Sequence, residues 1–243
     1  QKNEIKPCDQ CGSARHSIFC KLNTTELADL SKEKTHLFFQ KGHTIFSEQS
    51  HPLGLYCIYE GRIKIHKCGP EGKEHMLRFA KKGDVIGYRS LISEEPYQAS
   101  ATAIEDSVVC FFSKKTYQQQ IIQNHSVTLQ LMKTLSENLK QSEVKTLALT
   151  QKNATARIVE TIMIMKDFFG VLHDQTTINV TLTRENIASL SGTTTETCIR
   201  VLSKLQKQKM IALVGKKIKI VDLLSARKFL YFCSVYKSKN IDI

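Results

Sequence analysis

The sequence predicts an α+β chain built from a β-roll, a long helix and a C-terminal winged helix-turn-helix. Three observations carry that expectation. Seven of the eleven glycines fall between Gly42 and Gly87, and all four prolines lie at or before Pro96, with short β-rich runs between them. Residues 126–150 contain neither Gly nor Pro and carry an apolar stripe. Residues 182–221 follow the period of a helix, a tight turn, a second helix and two short strands. The expected divisions are a Cys-containing segment at 1–22, a roll at 23–124, a long helix at 125–150 and a winged domain at 151–243.

Composition bounds the class. With 41% apolar and 24% charged residues over 243 positions, the chain resembles an ordinary folded protein rather than a disordered one. No apolar run approaches the ~20 residues that span a bilayer, so no membrane association is expected. The stretch QKNEIKPCDQCGS carries charges without an apolar centre, which is not the pattern of a secretory signal. A cytosolic location is the expectation. There thiols stay reduced, so the eight cysteines are expected to be buried apolar residues or ligands rather than disulfides.

In the roll, the strand-like runs are His43–Phe46, Leu55–Tyr59, Arg62–His66, His75–Phe79, Asp84–Gly87 and Asp106–Phe112. Turns at Glu60-Gly61, Gly69-Pro70-Glu71-Gly72 and Lys82-Gly83-Asp84 separate them. Short strands at regular spacing with Gly-rich turns suit an antiparallel barrel or roll. From Lys114 the period becomes helical. In the long helix Leu129, Met132, Leu135, Leu139 and Leu147 fall on one stripe. We read the stripe as the seam of a homodimer, with Leu129, Met132, Leu135 and Leu139 at the interface. Ordinary core packing is the alternative.

Thr183 is placed to cap the first helix of the winged domain, with Ile187 and Leu190 on its apolar face. Gly192 suits the tight turn. In the second helix Ile199, Leu202 and Leu205 recur at three-residue steps as an apolar side, while Thr195, Glu196, Thr197 and Arg200 lie opposite, near its start. That start is where a recognition helix meets base edges in the major groove. Met210–Val214 and Ile218–Val221 are the expected wing strands, with Gly215-Lys216-Lys217 at the tip. Charge agrees: residues 151–243 hold 15 Lys/Arg against 7 Asp/Glu, a net of +8, whereas the preceding 150 hold 20 against 16, a net of +4. A basic excess on one domain is the footprint of phosphate contact, and double-stranded DNA is the expected partner.

This layout resembles the Crp/Fnr superfamily of transcription regulators, whose roll is of the cyclic-nucleotide-binding type. The residues that carry the resemblance are Leu182-Thr183-Arg184, Glu196-Thr197 and Arg200-Val201-Leu202, with the roll phrases Gln40-Lys41-Gly42, Glu60-Gly61-Arg62-Ile63-Lys64, Gly83-Asp84-Val85-Ile86-Gly87 and Glu105-Asp106-Ser107-Val108-Val109-Cys110. It implies base reading by Glu196 and Arg200 and phosphate contact by Thr183 and Arg184. Thr195 and Ile199 take the positions that tune half-site preference. The chemistry of the pair fits independently, because a carboxylate accepts from cytosine N4 and a guanidinium forks onto guanine O6 and N7. The full set of expected DNA contacts is Thr183, Arg184, Thr194, Thr195, Glu196, Thr197, Ile199, Arg200, Lys216 and Lys217. A homodimer on a palindromic site and a contact with RNA polymerase are further implications.

The signal is less determined. Cyclic nucleotide sites of the family need an acid after a Gly and an Arg-Ser pair for the phosphate. Here Tyr88 follows Gly87, and Gln98-Ala99 stands near the position of the pair, which argues against cyclic AMP. Cys8-x2-Cys11 with Cys20, and Cys110 at the distant ligand position of the oxygen-sensing branch, form a candidate metal set for a 4Fe–4S cluster or zinc. Aligned on Leu22-Asn23, the family's third ligand position falls on Ser17 rather than Cys20. His16 is a candidate fourth ligand for zinc. Against this, Cys110 in an apolar strand is also readable as a small buried hydrophobe, and a thiol pair or an unidentified small ligand remain open. Cys57, Cys68, Cys198 and Cys233 have no ligand spacing and are read as packing or surface residues. No nucleophile elbow, phosphate loop or zinc-protease motif occurs, so an enzyme is not expected. The alternative function is a ligand-binding module without iron–sulfur sensing.

Overall fold

The computed structural model describes residues 6–69, 72 and 74–222. Two compact units divide within one long helix, at Gln141 and Ser142. The expectations for Pro70, Glu71, Cys233 and the chain beyond residue 222 lie outside the described residues.

The first unit opens with 3-10 turns at Cys8–Gln10 and Ala14–His16, followed by α1 (Thr24–Lys32). A capping box starts α1: Asn23 Oδ1 accepts from the Glu26 N–H at 2.9 Å, and Glu26 Oε2 accepts from the Asn23 N–H at 2.8 Å. Eight strands then form the roll: β1 (Lys34–Phe39), β2 (Thr44–Phe46), β3 (Gly54–Glu60), β4 (Arg62–Cys68), β5 (Glu74–Lys81), β6 (Val85–Ile86), β7 (Ser100–Ala103) and β8 (Ser107–Ser113). They make two antiparallel sheets, in the orders β1-β8-β3-β6 and β2-β7-β4-β5. Gly61 turns β3 into β4 at φ +95°, where a Cβ would collide with Ser107.

The first sheet is apolar on both faces, and alternate residues of its central strands serve two cores. Tyr56, Ile58 and Val109 point into the roll with Ile63, Ile65 and Ala101 of the other sheet. Leu55, Cys57, Cys110 and Phe112 point the other way, into a second core with Ile18, Phe19, Leu30, Tyr88, Val127 and Leu131. The covering elements are the N-terminal segment, α1, α2 (Tyr88–Ser93), α3 (Lys114–Thr116), the π-turn Tyr117–Ile121 and the start of α4 (His125–Gln151). Burying both faces of one sheet gives a small domain more apolar area than a one-faced roll would.

Within α4, Val127 and Leu131 are buried in the outer core and Leu135 is half-buried against it. Leu129, Met132, Leu139 and Leu147 are exposed, Met132 and Leu139 at 61% each. The expected stripe is therefore divided, and Leu135 already has a partner within its own subunit. Tyr88 ties α2 to this helix: Asn138 Nδ2 donates to its phenolic oxygen at 2.6 Å. Tyr88 is otherwise enclosed by the outer core, and burial pushes its phenol above the ordinary range, so it stays neutral.

The second unit holds the end of α4, then α5 (Ala154–Phe169), α6 (Arg184–Leu190), α7 (Thr195–Lys207), β9 (Ile211–Val214) and β10 (Lys217–Ile220). Asn153 caps α5, its side chain accepting from the Ala156 N–H at 2.9 Å. Isolated bridges from Val171 to Ile178 and from Thr177 to Lys219 extend the β9–β10 pair. Among the described residues no helix is long and apolar enough to cross a membrane.

Removing the Tyr88 hydroxyl leaves the ring in place and deletes one bond between α2 and α4. Tyr88→Phe is expected to lower stability by ~0.5–1.5 kcal/mol, the usual worth of one such bond, with an unchanged denaturant slope in a urea titration.

Candidate nucleic-acid interface and thiol cluster

The helix-turn-helix is held by three backbone contacts from one guanidinium. Arg157 on α5 donates from Nε to the Ser191 carbonyl at 2.8 Å, from one terminal nitrogen to the Gly192 carbonyl at 3.1 Å, and from the other to the Lys152 carbonyl at 2.6 Å. A planar fork is suited to fixing several carbonyls at once. Ser191 adds a buried link, its hydroxyl donating to the Ile187 carbonyl at 2.8 Å and paired with the Thr161 hydroxyl at 2.9 Å. Gly192 sits at φ +61°, and a Cβ there would strike Leu149. The turn between α6 and α7 is thus set by contacts within the unit itself.

Each helix carries its own cap. Thr183 Oγ1 accepts from the Asn186 N–H at 3.1 Å, and Thr194 Oγ1 accepts from the Thr197 N–H at 3.2 Å while donating to the Thr197 hydroxyl at 3.0 Å. Thr183, Thr194 and Thr197 therefore have structural work at the two helix starts. α7 buries Cys198, Val201, Leu202 and Leu205. Ile199 is 49% exposed and does not belong to the inward stripe expected from its three-residue spacing. The step from 198 to 201, 202 and 205 is the true inward face, because a 3.6-residue period carries residue 199 about 100° away from residue 198. Ile199 instead shares the exposed surface with Thr195, Glu196 and Arg200. Among the described residues, Glu196 and Arg200 form neither a hydrogen bond nor an ion pair, so both heads are open to a ligand.

Arg184 is positioned differently from its expectation as an open phosphate ligand. One terminal nitrogen donates to the Gly215 carbonyl at 3.2 Å, bracing the wing, and the other is buried with no partner among the described residues. Beyond this brace, Lys216 is exposed at the wing tip, whereas Lys217 is half-buried as the first residue of β10 rather than part of the turn.

The thiols form a second constellation, on the outer face of the first sheet. Cys57 and Cys110 are register partners across β3 and β8, and His36 on β1 pairs with Cys110 from the other side. Directly paired residues share a face. The N-terminal segment is pinned over that face. Ser13 donates to the Tyr59 carbonyl at 2.9 Å, the Cys8 N–H donates to Ser31 Oγ at 3.2 Å, and Lys34 Nζ donates to the Lys6 carbonyl at 3.0 Å. The Cys11 N–H closes a 3-10 turn onto the Cys8 carbonyl at 3.2 Å. In such a turn residues three apart eclipse, so the two side chains lie on one side.

Cys8, Cys11, Cys57 and Cys110 are all buried. Burial pushes the Cys57 thiol well above its ordinary range, and Cys110, Cys11, Cys8 and Asp84 push it the same way. Burial likewise takes Cys110 up to about 12, opposed by Lys34 and reinforced by Cys8 and Cys11. Burial also raises Cys8 despite Lys34 and Ser31 beside it. Three of the four expected ligands, Cys8, Cys11 and Cys110, are thus buried on this side of the roll, with Cys57 packed beside them. Cys20 is exposed, in the turn that follows Ala14–His16, and is not among these neighbours. His36 Nε2 is buried without a partner among the described residues. Four soft sulfur donors suit zinc or an iron–sulfur cluster. Among the described residues, however, no group of three or more His, Cys, Asp or Glu side chains is placed to hold a metal ion, so these thiols do not form a metal site as they stand.

At the roll's nucleotide position, Tyr88 is buried, Arg89 is exposed and Gln98 is exposed. Gln98 Nε2 donates to the Pro96 carbonyl at 3.4 Å.

Comparison with known proteins gives the following. Residues 36–124 match the cyclic nucleotide-binding domain family, and residues 156–225 match the Crp-like helix-turn-helix domain family. The fumarate and nitrate reduction regulatory protein of Escherichia coli is 30% identical over 218 residues, 88% of this chain and 86% of that protein. The CRP-like cAMP-activated global transcriptional regulator of Mycobacterium tuberculosis is 28% identical over 211 residues, 86% of this chain and 94% of that one. Among solved structures, a CRP/FNR-family transcriptional regulator from Thermus thermophilus superposes with a TM-score of 0.70 at 18% identity, covering 81% of this chain and 98% of the other.

Proposed function

Because the chain belongs to the Crp/Fnr family of transcription regulators, we propose that it binds a palindromic DNA site as a homodimer and reads each half-site with α7. The observation that carries this is the exposed pair Glu196 and Arg200, one helical turn apart at the start of a helix that Arg157 holds against α5 and α6. Thr195 and Ile199 flank the pair, and Ile199 offers an apolar contact to a thymine methyl. Thr183 and Thr194 act as caps whose helix starts face phosphate, with Thr197 beside the second, and Lys216 and Lys217 add charge at the wing. The matched families and relatives are transcription regulators, not enzymes.

The homodimer is supported by the exposed part of the α4 stripe. Leu129, Met132 and Leu139 are exposed, and apolar side chains at this density along one helix favour a partner helix. Two-fold symmetry would set two recognition helices about 34 Å apart, one turn of duplex. The same reading places the protein in the cytoplasm, with RNA polymerase as a further partner.

For the signal, we infer something other than a cyclic nucleotide, and the side chains of the expected thiol set are not placed to hold a metal. Tyr88 fills the family's acidic position and is tied to Asn138 inside the unit. The phosphate-pairing Arg-Ser position holds Gln98 and Ala99, which supply no charge. An uncompensated phosphate in a partly enclosed pocket is strongly disfavoured. α4 runs through both units and is the continuous element from the roll to the winged unit. A signal acts through it only by binding two dimer arrangements unequally.

Arg200→Ala is expected to cost ~1–3 kcal/mol and to relax selectivity at one G·C pair per half-site, measured by competition between specific and altered duplexes. Equal binding to both by the native protein and the variant would remove α7 from the reading role. Lys216→Ala should weaken binding to every duplex and reduce the slope of affinity against salt by about one ion, as a titration from low to high ionic strength will show. Leu139→Glu together with Met132→Glu should give a monomer in sedimentation equilibrium while leaving the circular dichroism unchanged, since both side chains are exposed. A dimer that survives would place the interface elsewhere.

A further inference from the structure

We propose that His66 is an acid-responsive tie in the second sheet of the roll. On taking up a proton it forms an ion pair with Glu74 of β5, draws that carboxylate away from Lys64 of β4 and loosens the hairpin that joins the two strands. The device lies wholly within the first unit and stands whether or not α7 reads DNA.

The strands of this sheet lie in the order β2-β7-β4-β5, and a line of polar side chains follows the same order. Thr44 on β2 and Thr102 on β7 are register partners whose hydroxyls meet at 3.2 Å. Thr102 Oγ1 lies 2.9 Å from His66 Nε2 on β4. On the other side of the ring, Nδ1 stands 3.6 Å from Glu74 Oε1 on β5, outside hydrogen-bond reach. The second oxygen of Glu74 accepts from the Lys64 ammonium, which closes the line back onto β4. His66 is 6% exposed, and its Nδ1 is buried with no hydrogen bond among the described residues. The neutral ring thus uses one nitrogen and leaves the other idle. A protonated ring has two donors, and an acceptor already faces each: the Thr102 hydroxyl and the Glu74 carboxylate.

Among the described residues, the charges around the ring come from β4, β5 and the segment after β2. Burial holds the imidazole below its ordinary range; Glu74 opposes this, Lys64 adds to it and Glu48 opposes it. Glu48 is itself engaged, with Oε1 3.6 Å from Lys67 Nζ and Oε2 accepting from the Cys68 N–H at 3.0 Å. Thr44, Ser100 and Thr102 bring no charge. Protonation therefore sets two cations, Lys64 and His66, on one carboxylate. A charged N–H···O bond is made at ~2.8 Å, so Glu74 must shift toward the ring. Nothing in its position prevents that, since it is the half-exposed first residue of β5. The sign of the pH effect follows. The unfolded chain takes the proton more readily than the folded one, so stability falls as pH drops from the ordinary imidazole range toward the lower folded value.

The test follows the His66 ring by NMR in the full chain from about pH 8 to about pH 5, in the native protein and in Glu74→Gln. The native midpoint should lie below that of the exposed histidines, and Glu74→Gln should move it lower still, because the carboxylate that receives the new donor is gone. His66→Gln, which keeps an N–H donor for Thr102, supplies the second readout. Between about pH 7 and about pH 5 the urea midpoint of the native chain should fall further than that of His66→Gln. Amide exchange in β4 and β5, corrected for its intrinsic pH dependence, should quicken on acidification in the native chain and not in this variant. A midpoint equal to that of exposed histidines, or one that Glu74→Gln leaves in place, overturns the ion pair. Exchange that ignores acid, or quickens equally in His66→Gln, overturns the loosening of the hairpin. Should His66→Gln fail to fold, Glu74→Gln still decides through the ring midpoint, since it alters a half-exposed carboxylate.

Discussion

The pairing of β3 with β8 is the constraint on which the first unit depends. Both strands are buried on both faces, so each residue must satisfy one core or the other, and a slip of one residue would exchange the two. Ile58 and Val109 then could not fill the roll, and Leu55 and Phe112 could not meet α1 and α4. The same register sets Cys57 opposite Cys110. Helix α4 inherits its placement from that outer core through Val127 and Leu131, with Tyr88 adding a polar tie to Asn138. The exposed side of α4 is what remains after those contacts are made.

In the second unit the equivalent role belongs to hydrogen bonds rather than to a sheet. Arg157 fixes the turn between α6 and α7 by gripping carbonyls that have no helical partner. The apolar face of α7 supplies the remaining hold. Glu196 and Arg200 are therefore presented on a rigid element whose support is entirely internal. The positive excess of residues 151–243 supplies attraction at a distance, which raises encounter rates without choosing a sequence.

How much of this could be read from the chain depended on whether the cue was local. The winged domain was legible because its period, its turn glycine and its caps lie close together in sequence. β3 was legible as a continuous apolar run bounded by Gly54 and Gly61. β7 was not, since Ser-Ala-Thr-Ala has no bulky β-branched stripe and becomes a strand only by pairing with β2 and β4. β1 was missed because it sits on a sheet edge and alternates with exposed residues. α1 had a usable cue, the Asn23-x-x-Glu26 capping box. Ile199 was assigned inward by a three-residue count that drifts from the true helical period. That Cys57 lies beside Cys110 was not legible, because the two meet only through the register of β3 with β8, 53 residues apart in sequence.

The brace from Arg184 to the Gly215 carbonyl joins the start of α6 to the tip of the wing. Those two places are the outer edges of the surface that would straddle a major groove. Joined in this way, they would tend to move together against the groove of a bound duplex. A duplex whose backbone is too narrow or too wide at one edge must deform, or lose contacts at both. On the proposed reading of this surface, groove width would then contribute to the choice of site alongside the side chains of α7.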